Sequence, residues 1–355
     1  MASSCRNKRI GLFGGSFDPL HNGHLHVIEL MHQQLDLDLV ILLPNYQSPW
    51  KGTSQVSFAH RMAMCELAVS SYSFCEVSAI ESRLPLPSFT IQTVSALKKE
   101  LQERFGEVTL YFAVGDDQAN KLHDWKDIDS LAALITFAVV QREGAVHCAY
   151  PHVLLKAPIH PASSTEIRHG DFRELPPAVL RYILKHDLYL QDIIQQNMSK
   201  KRYQHTKSVT RLAVHLAQKH GLNVDKVRLA ADLHDIAKEF SAERTKHYME
   251  QEPAEHQAMP KAILHQYVGA RYVHEMLGIN DSDILEAIRC HTTGGDNLYV
   301  RLLFVADKIE PLRGYDVSAE LNLALQDLNK GYLLVKQKQE QYLKEINEYD
   351  SRTTN

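Results

Sequence analysis

The sequence predicts an α/β domain built on a parallel sheet, followed by an all-α domain. Three observations predict it. At 355 residues the chain exceeds the size at which a single hydrophobic core usually stops growing. In the first half, short apolar runs at residues 9–13, 39–43 and 108–114 have the length of buried strands, and segments with helical apolar spacing, 25–34 and 58–70, lie between them. Strands alternating with helices are the pattern of a parallel sheet with its faces covered. After about residue 170 the strand-like runs stop, and apolar residues recur at helical spacing over 176–188, 206–220, 227–238 and 284–290.

No Gly/Ser-rich or Pro-rich linker separates the halves, so the boundary is placed near Leu190, after a helix over 177–189. The expected domains are residues 1–190 and 191–355. The last segment, beginning Leu321-Asn322-Leu323-Ala324-Leu325, reads as a final helix with a polar tail over 351–355 that frays. Neither an internal repeat nor a low-complexity segment interrupts this order.

The composition, 44% hydrophobic and 23% charged, excludes disorder and collagen. A net charge of −4 does not suit a protein that coats nucleic acid, although Lys200, Lys201 and Arg202 form a local basic cluster, either a solvated helix end or a phosphate contact. Cys5, Cys65, Cys75, Cys148 and Cys290 include no C-x-x-C pair, so neither a disulfide framework nor a thiolate zinc site is expected, and a reducing, cytoplasmic setting fits. The start MASSCRNKRIGLF lacks an apolar signal core, and apolar stretches such as 131–140 are too short to cross a bilayer; neither export nor membrane insertion is expected. Nothing in these patterns bears on oligomeric state.

A first chemical constellation follows the first strand. The segment Arg9-Ile-Gly-Leu-Phe-Gly-Gly-Ser-Phe-Asp-Pro-Leu-His-Asn-Gly-His24 reads as strand, glycine turn and helix start. Gly14 and Gly15 are expected to adopt backbone conformations closed to other residues and to let amides approach a ligand. The helix starting near Gly23 would present unsatisfied N–H groups and a positive dipole end to phosphate. His21 and His24, three apart, can reach the same site. Gly11, Gly14 and Gly15 lack the spacing of the G-x-G-x-x-G dinucleotide fingerprint.

The run Gly14-Gly15-Ser16-Phe17-Asp18-Pro19-x-His21-x-Gly23-His24 resembles the nucleotidyltransferase signature of bacterial nicotinate-mononucleotide adenylyltransferases. Other matches fall in order over residues 8–190: Pro44-Asn45 with Pro49 and Lys51, Arg61-Met62 with Leu67-Ala68, and Pro87-Ser88-Phe89-Thr90 with Thr93. They continue with Gly115-x-Asp117 followed by Leu122 and Trp125, then Ser163-Ser164-Thr165-x-Ile167-Arg168, and a closing helix holding Tyr182-Ile183 and Leu188-Tyr189. The resemblance implies a Rossmann-like nucleotidyltransferase fold and transfer of AMP from ATP to nicotinate mononucleotide, with Mg²⁺. It implies that His21 and His24 contact phosphates, that Ser164 and Arg168 hold the triphosphate, and that Thr90 helps place a pyridine carboxylate. Trp125 would stack on the pyridine ring, although alone it reads as core. Lys51 and Thr165 belong to the same expected site. Phe89 in place of tyrosine, and Ser48-Pro49-Trp50 before Lys51, depart from the usual pattern and bear on the choice of acid or amide. Nicotinamide mononucleotide and phosphopantetheine stay open as acceptors.

The second constellation is His205, His234-Asp235, His265, His291 and Asp307, imidazoles and carboxylates on expected helices or their ends. Mixed nitrogen and oxygen ligands suit manganese, iron, cobalt or zinc better than calcium, and the set is large enough for one or two ions sharing Asp235. Lys238, three and four residues beyond the His-Asp pair, is expected on the same helix face, within reach of a phosphate oxygen. Arg202-x-x-His205, Leu233-His234-Asp235-Ile236-x-Lys238, Leu264-His265, His291-Thr292-Thr293-Gly294 and Ala306-Asp307-Lys308-Ile309-Glu310-Pro311-x-Arg313 resemble the bacterial HD-domain symmetrical diadenosine-tetraphosphate hydrolases. That resemblance implies hydrolysis of diadenosine tetraphosphate to two ADP by a transition metal, iron foremost. Arg202, Lys238 and Arg313 then pair either with phosphate or with the protein itself. A nucleotide sensor without turnover is the competing reading of this domain.

Overall fold

The computed structural model describes residues 7–46, 56–141, 145–156, 158 and 160–353. The chain forms two compact units: residues 1–169 with 174–189, and residues 170–173 with 190–355.

The first unit is a six-stranded, wholly parallel sheet of β1 (Lys8–Gly15), β2 (Leu39–Pro44), β3 (Cys75–Val77), β4 (Val108–Gly115), β5 (Thr136–Gln141) and β6 (His152–Lys156), in the spatial order β3-β2-β1-β4-β5-β6. Every residue of β2, Leu-Val-Ile-Leu-Leu-Pro, is buried, as a strand covered on both faces requires. Ile10, Leu12, Phe112, Phe137 and Val139 form the core with Leu97 and Leu101 of the helix Thr90–Phe105. The chain winds outward from β1 to β3 and then returns to β4, so the order reverses between β1 and β4. A doubly wound sheet opens its ligand crevice at the carboxyl ends of the strands at such a switch point. Gly14, Gly15 and Gly115 stand at those ends.

The second unit is helical, and its helices start on short polar caps: Ser199 Oγ accepts from the Arg202 amide, Asn223 from Lys226, Ser241 from Arg244 and Asn297 from Tyr299. The long helix Lys200–His220 stops at Gly221, φ 66°.

Several expectations are corrected. The segment expected to be helical over 227–238 is the helix Val224–Leu233 followed by a tight turn, so Lys238 sits in a turn rather than on a helix face. The helix expected from 206 begins at Lys200, one residue after its serine cap. The last segment is two helices, Ser318–Gln326 and Leu328–Thr353, because Asp327 leaves helical geometry and caps the Lys330 amide at 3.0 Å. The final residues, 354–355, lie outside the described ones. Gly14 and Gly15 have no left-handed backbone. A β-carbon on Gly14 would stand 3.1 Å from the Phe112 ring, and one on Gly15 would stand 3.1 Å from the Phe17 ring. Close packing selects glycine at both positions, and the positive φ of the turn falls on Phe17, at 48°.

Candidate active sites

The crevice at the switch point is a pocket of about 500 Å³, lined by Gly14, Gly15, Ser16, Thr90, Asp117 and Trp125 together with Ser88, Phe89, Lys121 and Lys126. Distant motifs therefore converge on one cavity. His21 caps the helix Asn22–Gln34, its carbonyl accepting from the His24 amide at 2.9 Å. The His21 amide donates to His24 Nδ1 at 3.2 Å, and the two rings stack with centroids 3.7 Å apart. The imidazoles are thus held as one unit at the helix mouth.

Phe17 and Asp18 turn inward. Phe17 packs edge-on to Phe13 and His24, and the Tyr189 hydroxyl donates to Asp18 Oδ1 at 2.6 Å. Burial, with the Asp18 carboxylate beside it, pushes the Tyr189 phenol far above its ordinary range, so it remains a donor. Arg168 Nη1 donates to the Asp18 carbonyl at 2.6 Å and Nη2 to Thr165 Oγ1 at 3.2 Å, while Ser164 Oγ donates to the Pro19 carbonyl at 3.0 Å. The S-S-T-x-I-R segment therefore clasps the loop after β1. Lys51 and the 48–50 segment lie outside the described residues.

Arg61 belongs to this architecture but was read from the sequence only as part of a helix. It is 2% exposed, and donates to the Ser16 carbonyl at 2.7 Å, Asn45 Oδ1 at 3.2 Å and the Tyr46 carbonyl at 3.3 Å. Glu81 is a second unread brace: its carboxylate accepts from Ser88 Oγ at 2.6 Å and from Thr93 Oγ1, fixing the segment that carries Thr90. Trp125 is half-buried, edge-on to Phe112 and Phe137, with one side on the pocket.

In the helical unit, the ligand atoms of His205, His234 and Asp307 form one group within 4.8 Å of one another, and those of His234, Asp235 and His291 form another. His265 Nε2 lies 3.1 Å from His291 Nε2 and 3.2 Å from Asp235 Oδ1, so the whole expected set converges. His234 and His291 each donate Nδ1–H to a backbone carbonyl, of Ala231 and Ile288, at 2.7 Å, which leaves Nε2 as a lone pair facing the cluster. His234 Nε2 is fully buried without a hydrogen-bond partner among the described residues. A lone pair buried against two carboxylates fits a divalent metal ion, and no described residue donates to it.

The electrostatics agree. Burial pulls the His234 pKa down to about 4 and lowers those of His265 and His291, keeping the imidazoles neutral. Asp235 and Asp307 stay well below the carboxylate range: burial opposes this, and neighbouring His234 outweighs it for Asp235, Lys308 and His205 for Asp307. Cations surround the cluster. Arg202 pairs with Asp235, Lys308 Nζ lies 2.6 Å from Asp307, and Arg313 donates to the Asp307 carboxylate at 3.0 Å and to its carbonyl at 2.8 Å. Lys238 Nζ lies 3.1 Å from His265 Nδ1 and from the Ala262 carbonyl. Glu310, 2% exposed, was absent from the expected ligand set. It lies 3.0 Å from His205 Nδ1 while His205 Nε2 faces Asp307 at 3.1 Å. The A-D-K-I-E-P-x-R run was its only signal.

Residues 12–170 match the cytidylyltransferase-like family and residues 202–312 match the HD domain. Over 92% of its length the chain is 29% identical to a Mycoplasma genitalium protein, with 96% of that protein covered, named "Probable nicotinate-nucleotide adenylyltransferase/Ap4A hydrolase". It is 36% identical to a "Probable nicotinate-nucleotide adenylyltransferase" of Neisseria meningitidis serogroup C, over 51% of the chain and 98% of the relative. Among solved structures it is similar to one from Clostridium acetobutylicum described as a "predicted HD superfamily hydrolase involved in NAD metabolism", with 29% identity and a TM-score of 0.41, over 44% of the chain and 87% of the other.

Proposed function

The chain belongs to the nicotinate-nucleotide adenylyltransferase family through its first half and carries an HD domain in its second, and from that premise we propose that it joins two enzymes. The first unit transfers AMP from ATP to nicotinate mononucleotide, releasing pyrophosphate and nicotinate adenine dinucleotide, a step of NAD biosynthesis. The second hydrolyses diadenosine tetraphosphate to two ADP. The observation that carries the first reading is the convergence of four separated motifs on one pocket at the switch point.

The attacking group is a phosphate monoester already anionic near neutral pH, so no general base is required. The protein's task is alignment and charge neutralisation. His21 and His24 with the helix N-terminus face the phosphates, and Arg61 holds the loops that carry Ser16 and Asn45 in register. Arg168 and Ser164 close the loop from the other side, and the Arg168 guanidinium keeps further N–H donors for the triphosphate. Thr90 and Trp125 receive the pyridine ring. Mg²⁺ travels with ATP and supplies further neutralisation of the triphosphate.

In the HD domain, His205, His234, Asp235, His265, His291 and Asp307 are the residues to hold one or two ions of iron, manganese, cobalt or zinc. Such ions activate water and stabilise a leaving phosphate oxygen. Arg202, Lys238 and Arg313 offer the cations that a polyphosphate chain needs. No helix of the described residues is long and apolar enough to cross a membrane. The free thiols of Cys65, Cys75, Cys148 and Cys290 suit the cytoplasm.

A pyrophosphate-release assay with nicotinate mononucleotide, nicotinamide mononucleotide and phosphopantetheine tests the first activity, with the first acceptor expected to be preferred about tenfold or more. Metal-loaded protein is expected to give ADP as sole product from diadenosine tetraphosphate. No turnover of any dinucleoside polyphosphate would leave the domain a sensor.

A further inference from the structure

The turn that follows His291 is tied to the helix that carries His265 by one buried amide. Gln266 comes directly after His265 on the helix Lys261–Glu275 and is 0% exposed. Its Oε1 accepts from the Thr292 amide at 3.2 Å and from the Thr292 hydroxyl, across 26 residues of chain. Thr292 in turn comes directly after His291, which closes the helix Ser282–Cys290. The tied residues are therefore the chain neighbours of the two imidazoles whose Nε2 atoms stand 3.1 Å apart. The Gln266 Nε2 is buried with no hydrogen-bond partner among the described residues. A buried amide whose donor goes unused costs stability, and an apolar side chain of the same shape would avoid that cost. Packing alone does not explain a glutamine at this position.

We infer that Gln266 is a positioning residue of the metal cluster: by holding Thr292 it fixes the end of one helix against the side of another and so sets the spacing of His265 and His291. This rests on the metal-binding reading of the HD domain. The His291 ring is already fixed in rotation, because its Nδ1 donates to the Ile288 carbonyl at 2.7 Å. That bond lies within its own helix end and leaves the distance to the neighbouring helix unset. In their ligating tautomers both imidazoles turn a lone pair toward the cluster, and the two nitrogens repel each other until a cation lies between them. The tie from Gln266 to Thr292 opposes the drift that this repulsion favours. Ligands already held near their bound positions lose less freedom when the ion arrives, so the tie raises metal affinity.

The test uses the whole chain stripped of metal, with Co²⁺ as the probe, its affinity measured by competition with a chelator and the metal-free melting temperature measured beside it. Gln266→Met combined with Thr292→Val removes both partners of the tie and keeps their shape. The melting temperature of that double variant is expected to hold or rise, since no polar partner is left orphaned on either side chain. Its Co²⁺ affinity is expected to fall about tenfold, as when other supports behind a metal ligand are lost. Thr292→Ser keeps both the amide and the hydroxyl and is expected to bind Co²⁺ as wild type does. Unchanged affinity in the double variant would overturn the positioning role, and a melting temperature that falls together with affinity would make Gln266 a structural brace; both leave the metal site standing. Wild-type chain that binds no Co²⁺ would overturn the metal-binding reading and this inference together.

Discussion

The two ring nitrogens of His205 face different carboxylates, Nδ1 toward Glu310 and Nε2 toward Asp307. A buried carboxylate behind a ligating imidazole fixes its tautomer and raises its basicity, and loss of such a partner typically weakens metal binding about 10- to 100-fold. Glu310→Ala is therefore expected to lose metal to a competing chelator at about that ratio, with Glu310→Gln intermediate because an acceptor oxygen remains. Unchanged metal affinity in Glu310→Ala would make Glu310 a helix-end cap, since it also accepts from the Leu312 amide at 2.7 Å. The neutral imidazoles carry a pH signature too. Burial lowers the folded pKa of His234 to about 4, so below its ordinary value of 6.5 the unfolded chain binds the proton first. Metal-free protein should then lose stability as pH falls from 6.5 toward 4; His265 and His291 shift the same way, and His205, raised by Asp307 and Glu310 against its burial, opposes them. A flat melting temperature over that window would contradict the burial of these rings.

Helices in the second unit are tied together by buried carboxylates as well as apolar faces. Glu252, 4% exposed, accepts from Arg271 at 2.9 Å, from Arg289 at 2.7 Å and from His256 at 2.7 Å, linking the helices Lys261–Glu275 and Ser282–Cys290. Burial would raise its pKa, and His256, Arg289 and Arg271 outweigh that and lower it. Glu252→Gln should cost about 2 kcal/mol near neutral pH, because Arg289 loses this counter-charge and Arg271 is left with Glu275, while the shape is kept. Since the folded pKa is depressed, the wild-type advantage is present above the unfolded value and disappears as pH falls through the folded one. Denaturation midpoints of both proteins at pH 7 and in acid check this. Element boundaries were less legible than element types. β3 has only three residues, and β6 is an edge strand with Val153 and Leu154 exposed, so neither shows a continuous buried run. The end of the helix at Leu233 was hidden because Ile236 and Ala237 in the following turn are buried and extend the apolar pattern.

On the scale of the molecule, each compact unit carries its own constellation. Asp235→Ala is expected to lose bound metal and tetraphosphate hydrolysis together while adenylyl transfer survives. His21→Ala or His24→Ala should lower adenylyl transfer about 10²- to 10³-fold and spare the hydrolase. Bound metal, melting temperature and both activities, measured on each variant, decide the matter: hydrolysis retained in Asp235→Ala would remove that residue from the metal site, and adenylyl transfer lost from a folded Asp235→Ala would mean that the two activities are coupled.

Residue types and their order along the chain were enough to predict the fold classes and the candidate ligands, because periodicity and motif spacing are local properties, and the paired chemistries followed from the family resemblances those motifs carry. The candidate metal-binding cluster could be named from sequence since imidazoles and carboxylates advertise themselves by type. Tertiary structure alone decided what each side chain faces. It turned Phe17 and Asp18 inward, gave Gly14 and Gly15 a packing role instead of a conformational one, and set Arg61, Glu81 and Glu310 behind the sites as braces. It also left Lys126 beside Phe89 on the pocket wall. Most of these facts depend on partners far along the chain, from 7 residues for Ser88 on Glu81 to 171 for Tyr189 on Asp18, and no local pattern in a single chain encodes which distant atom a side chain will meet.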